Sequence, residues 1–542
     1  MKTVDLSAMP ESRKLLIFVL MALGQFMALL DIQIVASSVA EISAGLGAAP
    51  DEASWIQTAY LMAEIVMIPL SGVLSRAFST RWLFTLSAAG FTLTSLGCGL
   101  ATNIGTMIVM RAIQGFLGGA MIPTVFATGF ALFRGPRQAI ISAVLGMSGA
   151  LAPTIGPTLG GWITETWSWH WLFFVNIVPG IIITGTIPFL ARVDEANPSL
   201  IRKFDLAGLG LMAVSLASLE YVLEEGYRWG WFDDPDIRAL AVLCLVSGGL
   251  FVWRSLRHAH PVVDFRALRD RTFAIATLFI FITGFGLFGA VYVLPLFLAR
   301  IAGFNALQIG QAVFSAGLAM VLAAPFVSRL SRRADPRLLI AAGLGLFAFS
   351  LWKMTPLTSA WTGRELFWPQ FLRGSAMLLC IVPATSMALG SVSPERLKMA
   401  SALFNTLRNL GGAVGIACVN TWLNSRTNLH WLRLNENLQT GSAGVGDWLA
   451  QVGGHLQMAA ADPALAGERA LGTLARLVRR EAVTLAFADV LWLMACLFAF
   501  ALLLVPLIRR PPAPAKAPGG CIELTCVCLA GNAPGRITRR ID

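Results

Sequence analysis

Apolar residues in this chain come in long unbroken runs, not in the narrow stripes of a surface helix. Runs of about eighteen or more recur from end to end, separated by short polar segments. As a helix, each such run is long enough to cross a bilayer core of about 30 Å. Open sheets are excluded, because unpaired backbone groups in lipid cost several kcal/mol each. A membrane β-barrel would show alternating segments of about ten residues instead. The pattern predicts fourteen helices, at approximately 15–37, 54–75, 82–102, 105–132, 139–164, 169–191, 204–224, 237–256, 273–299, 306–329, 337–355, 366–391, 400–424 and 483–508. Connections are short except for residues 425–481.

Composition agrees: 56% of the 542 residues are hydrophobic and 13% are charged, where a soluble domain carries about a quarter charged. A net charge of +11 raises the possibility of nucleic-acid binding. The basic residues lie in short loops between apolar runs rather than on one domain, so no nucleic-acid partner is expected. No phosphate-binding glycine loop and no metal-spaced His/Cys set occurs, so no nucleotide, metal or other cofactor is expected. Cys98, Cys244, Cys380, Cys418 and Cys496 are scattered singly through apolar runs as packing residues. Cys521, Cys526 and Cys528 fall in a C-terminal tail. The first apolar run is longer than a signal-peptide core and no convincing small-residue cleavage site accompanies it.

Lysine and arginine set the orientation. The N-terminal segment and every second loop carry most of the 41 basic residues, from Arg76 and Arg81 through Arg134 and Arg137 to Arg329, Arg332, Arg333 and Arg337. The first three loops of the opposite set carry none. Both termini are therefore expected in the cytoplasm, which needs an even number of spans. Arg111, Arg373 and Arg408 fall inside or at the edge of predicted spans.

The chain also repeats itself. Span four reads "MIVMRAIQGFLGGAMIPT" and span twelve "FWPQFLRGSAMLLCIVPATS". Each has an Arg, then small residues, then a Pro about three turns on. Spans one to six thus resemble spans nine to fourteen, with two left between them. Parallel repeats of six helices place a substrate site at the midplane between the halves. The expected domains are a cytoplasmic N-terminus (1–14), a first six-helix bundle (15–191), two additional spans with linkers (192–272), a second bundle (273–508, including the long periplasmic loop 425–481) and a flexible cytoplasmic tail (509–542).

Four motifs make a family resemblance specific. "LLDIQIVASSVAEI" ends span one, "GVLSRAFSTRWLF" spans the loop between spans two and three, "RAIQGFLGGA" lies in span four and "GALAPTIGPTLGG" in span five. Together they resemble the major facilitator superfamily, and within it the fourteen-span drug:proton antiporters of the EmrB/QacA type. Two departures stand out. Arg76 takes the place of the usual Asp after span two, and Ser79 that of a glycine, so the family's charged latch at this loop is not expected in its usual form.

The resemblance implies an all-α polytopic fold of two six-helix bundles plus two central helices, and proton-coupled export of hydrophobic small molecules from the inner membrane by alternating access, with no enzymatic chemistry. A periplasmic adaptor and an outer-membrane channel are implied partners. Two alternatives stay open: an exporter of one metabolite such as a fatty or aromatic acid, and a non-transporting sensor or scaffold.

Charged residues within a span cost at least about 2.5 kcal/mol and persist mainly where they face a cavity or each other. Asp31, Glu64 and Arg111 are the candidates for proton coupling, with Arg111 expected on the cytoplasmic half of span four. A structural hydrogen bond is the competing reading for Glu64, and a helix-end cap or ion pair for Asp31. Glu220, Glu224 and Glu225 close span seven; they recruit cations or form an interfacial acidic cluster. Phe26, Gln57, Tyr60, Gln114, Tyr292, Asn405 and Asp489 are candidates for the substrate cavity by position alone. Arg408 is placed to reach the cytoplasm.

The span-five motif supplies Gly149, Pro153, Gly156, Pro157, Gly160 and Gly161. Ala152, Gly156 and Gly160 repeat every fourth residue, a small-residue stripe suited to close helix contact. The stripe is expected to face the other bundle and to seal the periplasmic side.

Overall fold

The computed structural model describes residues 9–202, 204–259, 261–361, 363–438, 443–457 and 463–508. The tail cysteines and the expected C-terminal tail lie outside the described residues. Among the described residues fourteen long helices dominate: α1 Glu11–Ala36, α2 Trp55–Ala77, α3 Thr80–Gly99, α4 Ile104–Leu132, α5 Gln138–Thr166 and α6 Trp171–Leu190, the last interrupted at Val175 and Asn176. Then come α7 Leu206–Glu225, α8 Pro235–Arg257, α9 Arg271–Arg300, α10 Ala306–Ser331, α11 Pro336–Lys353, α12 Gly363–Gly390, α13 Leu397–Asn437 and α14 Pro463–Ala501.

Thirteen of these are long and apolar enough to cross a membrane. The other, α3, is diluted by hydroxyl residues. Its threonines donate within the helix, Thr85 to the Arg81 carbonyl at 2.8 Å and Thr92 to that of Ala88 at 2.7 Å. Such local bonds let a hydroxyl sit in an apolar span without an unpaired group. Starts are marked by side-chain caps. Asn103 accepts from the Thr106 amide, Asp234 from Ile237 and Asp270 from Thr272. Asn305 and Gln308 form a reciprocal capping box.

Packing follows the internal repeat. In the first half α2 lies on α4, α1 on α5 and α3 on both α4 and α6. In the second half the counterparts meet: α10 on α12, α9 on α13, α11 on α12 and α14. The halves join through α2 with α13 and, symmetrically, α5 with α10. Glycine makes the closest approaches. A Cβ on Gly115 would fall inside the Tyr60 carbonyl, and one on Gly374 inside that of Ala316. The conspicuous glycines of "RAIQGFLGGA" therefore seat α4 against α2, and Gly119 lies directly on the backbone of Glu64.

The span-five stripe differs from expectation. Gly156 faces Gln33, and Gly160 faces Ile34 and Ser37, all on or just after α1 in the same half. The opposite face of α5 meets the other half: Thr158 packs on Gly310, and Leu151 and Thr154 on Gly317. The reason is geometric. A stripe every fourth residue covers one face only, and here the bulkier face crosses between the halves.

The long connection is itself largely helical and continuous with the spans that flank it. α13 has 41 residues and α14 has 39, far longer than the roughly 20 needed to span a bilayer. Both helices continue beyond any span, and a further helix, Ala443–Gln457, packs on α14. Arginines such as Arg426 and Arg433 end the apolar run but do not end the helix.

α7 and α8 pair with each other. At one end Asp205, the cap of α7, takes the Gly208 amide at 2.8 Å and the Arg254 guanidinium of α8 at 2.7 Å. Burial alone would raise this carboxyl, but the amide and Arg254 hold it below its ordinary value.

Between α2 and α3 the chain turns at Ser79, with φ 72° and ψ 151°. That region is open almost only to glycine and costs on the order of 1–3 kcal/mol otherwise. Its cap bond from the Trp82 amide is long, 3.5 Å. Ser79→Gly is therefore expected to stabilise the protein by about 1 kcal/mol, seen as a raised melting temperature in detergent. An unchanged or lowered midpoint would contradict the strain.

Candidate functional site

A cavity of about 660 Å³ lies between the halves, within the range of drug-sized sites. The first half contributes Gln33, Gln57, Leu61, Glu64, Pro153, Pro157 and Gly161. The second half contributes Phe288, Val291, Tyr292, Phe304, Asn409 and Ile416, and α7 adds Glu220 and Glu224. The cavity reaches Glu41, Glu165 and Asn305, at the end of the helices away from the basic loops.

At the basic end the halves are locked together. Lys398 on α13 pairs with Asp194 and donates to the Ser75 carbonyl at 2.8 Å. Ser401 donates to the Pro123 carbonyl at 2.7 Å, and Ser142 shares a bond with Ser386 at 2.9 Å. Arg76, standing where the resemblance leads one to expect Asp, points its guanidinium at the Met399 sulfur. The carboxylate for this lock comes instead from Asp194, which also accepts from the amide and hydroxyl of Thr80 at the start of α3. Nothing in the motif pattern pointed to it, because it lies beyond α6. Asp194→Asn is expected to weaken the closed basic end by about tenfold in population, ~1.4 kcal/mol. Spin-label distances across Ser142 and Ser386 check this; an unchanged distribution would discount the lock.

Of the three coupling candidates, only Glu64 lines the cavity. It is 3% exposed, and its Oε1 has no hydrogen-bond partner. Two guanidiniums, Arg408 and Arg111, act on it through space. Arg408 does not reach the surface: it is buried, with its guanidinium 5.4 Å from the Phe126 ring centre.

Asp31 and Arg111 form a sealed pair away from the cavity, 2.6 Å apart and fully buried. Arg111 sits in the second turn of α4, in the half away from the basic loops and not in the half expected. The helix runs the other way, starting at Asn103 beside that end. Arg111 also donates to Gln114 at 2.8 Å and to the Ile56 carbonyl at 3.1 Å, and lies over the Tyr60 ring at 4.2 Å. Asp31 takes further bonds from Asn176 at 2.7 Å and Gln114 at 3.2 Å. Gln114 in turn donates to Ser95 at 2.8 Å. One polar cluster thus ties α1, α2, α3, α4 and α6. Asn176, at the break in α6, was not anticipated; only a polar residue inside an apolar run marked it.

The other cavity candidates divide. Gln57 and Tyr292 line the cavity. Tyr60 and Gln114 belong to the Arg111 cluster, and Phe26 packs on the core. Asn405 is buried and donates to Ser401 at 2.9 Å. Asp489 lies about two-thirds of the way along α14 and pairs with His430 at 2.9 Å and Arg426 at 3.7 Å on α13. Of the span-five residues, Pro153, Pro157 and Gly161 line the cavity, Gly156 and Gly160 face α1, and Gly149 lies beside Arg408. Glu220 and Glu224, expected to recruit cations or to form an interfacial cluster, lie in the cavity wall.

Comparison with known proteins agrees with this arrangement. Residues 21–416 match the Major Facilitator Superfamily. The colistin resistance protein EmrB of Acinetobacter baumannii is 37% identical, over 88% of this chain and 93% of its own length. The fatty acid resistance protein FarB of Neisseria gonorrhoeae is 31% identical, over 78% of this chain and 83% of its own. The human organic anion transporter MFSD10 (TETRAN) shares the fold, with a TM-score of 0.57 at 15% identity, over 92% of this chain and all of that one. With the match covering most of its length and two repeated six-helix bundles around a central cavity, this chain belongs to the major facilitator superfamily, as an EmrB-type efflux transporter.

Proposed function

We propose that this protein is a drug:proton antiporter that exports lipophilic small molecules across the inner membrane by alternating access. The observation that carries the reading is Glu64: a buried carboxylate without a hydrogen-bond partner, in the wall of a cavity closed at the basic end. An unpaired buried charge is costly, so such a group readily exchanges a proton as its surroundings change. In the proposed cycle the basic end faces the cytoplasm and both termini lie there. Protons reach Glu64 from the periplasm, the Lys398–Asp194 lock opens as the halves rock, and drug enters from the cytoplasmic side.

The proposed domains are the first bundle at 15–191, the inserted spans at 192–272 and the second bundle at 273–508. The extensions of α13 and α14 would then stand in the periplasm, where an adaptor leading to an outer-membrane channel docks. A relative is named for fatty acid resistance, but the five glutamates of this cavity work against a carboxylate substrate.

Proteoliposomes test the reading. Under an imposed pH gradient, wild-type protein should release protons when lipophilic drugs are added. No proton release with any member of a broad panel would refute it.

A further inference from the structure

The cavity wall contains five carboxylates, Glu41, Glu64, Glu165, Glu220 and Glu224, and no lysine, arginine or histidine among the described residues. Two of the five come from α7, one of the two helices inserted between the repeated halves. α7 is held on both: it packs against α2 and α13. Tyr221 lies 5.6 Å from Trp55 of α2, Arg228 donates to Ser54, and Trp231 donates to Thr421 of α13 at 3.1 Å. The last two turns of α7 therefore form a fixed part of the cavity wall.

Its three glutamates are treated differently. Glu225 is buried but has Arg228 at 3.5 Å. Glu220 is 5% exposed, and its Oε2 has no hydrogen-bond partner. Glu224, one turn on, also faces the cavity. Glu220 feels the like charges of both Glu224 and Glu64. Past the helix end the Tyr227 phenol is pushed above its ordinary value by burial and then by Glu224 and Glu225, with Arg300 and Arg228 opposing them. Buried carboxylates without partners are costly to maintain unless a counter-charge occupies the space before them. Phe288, Tyr292 and Phe304 supply aromatic surface in the same wall, suited to the body of a lipophilic ligand and to cation–π contact.

We propose that the last two turns of α7 belong to the transport site, where Glu220 and Glu224, with Glu64 of α2, bind the positive charge of a lipophilic organic cation. The inserted helices then select substrate rather than merely fill the gap between the bundles. This rests on the antiporter reading only for the direction of movement; binding is measured without it.

The test is equilibrium binding to the purified full-length protein in detergent, using tetraphenylphosphonium and tetraphenylborate, two ions of like size and shape but opposite charge. Wild-type protein binds the phosphonium and not the borate. Glu220→Gln with Glu224→Gln raises the phosphonium Kd by at least about tenfold. Glu224→Gln alone, at a half-buried position that tolerates change, raises it by at least about threefold. Glu225→Gln, whose partner is Arg228, leaves it near the wild-type value. Equal phosphonium affinity in wild type and the double variant overturns the proposal, as does wild-type protein that binds neither ion or binds the borate as tightly. Proteoliposomes without proton movement would remove the antiporter reading and leave this result standing.

Discussion

Glu64→Gln is expected to reduce drug-driven proton movement to background while the protein remains folded in the membrane. The amide matches the carboxylate in size, and Gly119 seats the Glu64 backbone directly on α4, so packing is retained. What is lost is the titrating oxygen pair. Glu64 faces the cavity and feels Arg408 and Arg111, and in the proposed cycle rocking of the halves changes its distance from Arg408, which belongs to the other half. A fixed amide cannot follow that change with a proton. A pH-sensitive dye inside proteoliposomes reads the effect directly, and resistance of an efflux-deficient host reads it in cells. Normal drug-induced proton release from the variant would move the coupling site elsewhere.

Arg111→Met is expected to be the most destabilising single change among the residues described, by about 3–5 kcal/mol. It strips Asp31 of its counter-charge at a fully buried position and frees the Ile56 carbonyl and Gln114. Removing both charges together, as Asp31→Asn with Arg111→Met, should recover much of the loss, since no uncompensated charge is then left. Melting temperature and yield of monodisperse protein in detergent check both. A single variant as stable as wild type, or a double variant worse than the single, would show that the pair does not hold α1, α4 and α6 together.

Helix number and the repeat are legible in the sequence because both are local properties of the apolar runs. The same holds for Ser79, where a missing glycine coincides with a backbone only glycine adopts freely. Partners are a different matter. The stripe of Gly156 and Gly160 shows that some helix comes close but not that it is α1. Glu220 and Glu224 share a helix face, yet whether that face meets lipid or a cavity depends on α2 and α13, far away in the chain. Hydropathy ends α13 just before Arg426, whereas the backbone continues because arginine is a good helix former. Asp194 could be found only by asking which carboxylate replaces the one absent at Arg76.

The two repeats share a frame but not a chemistry. Every carboxylate in the cavity wall belongs to the first half or to α7, and the second half contributes Phe288, Val291, Tyr292, Phe304 and other uncharged side chains. Within the cavity wall, duplicated architecture has thus diverged into a side that carries the charge and a side that is greasy. Mutations that reshape the greasy wall leave the proposed coupling carboxylate untouched, so on this reading a lineage under changing toxic challenge can alter which compounds leave the cell without reinventing how their departure is powered.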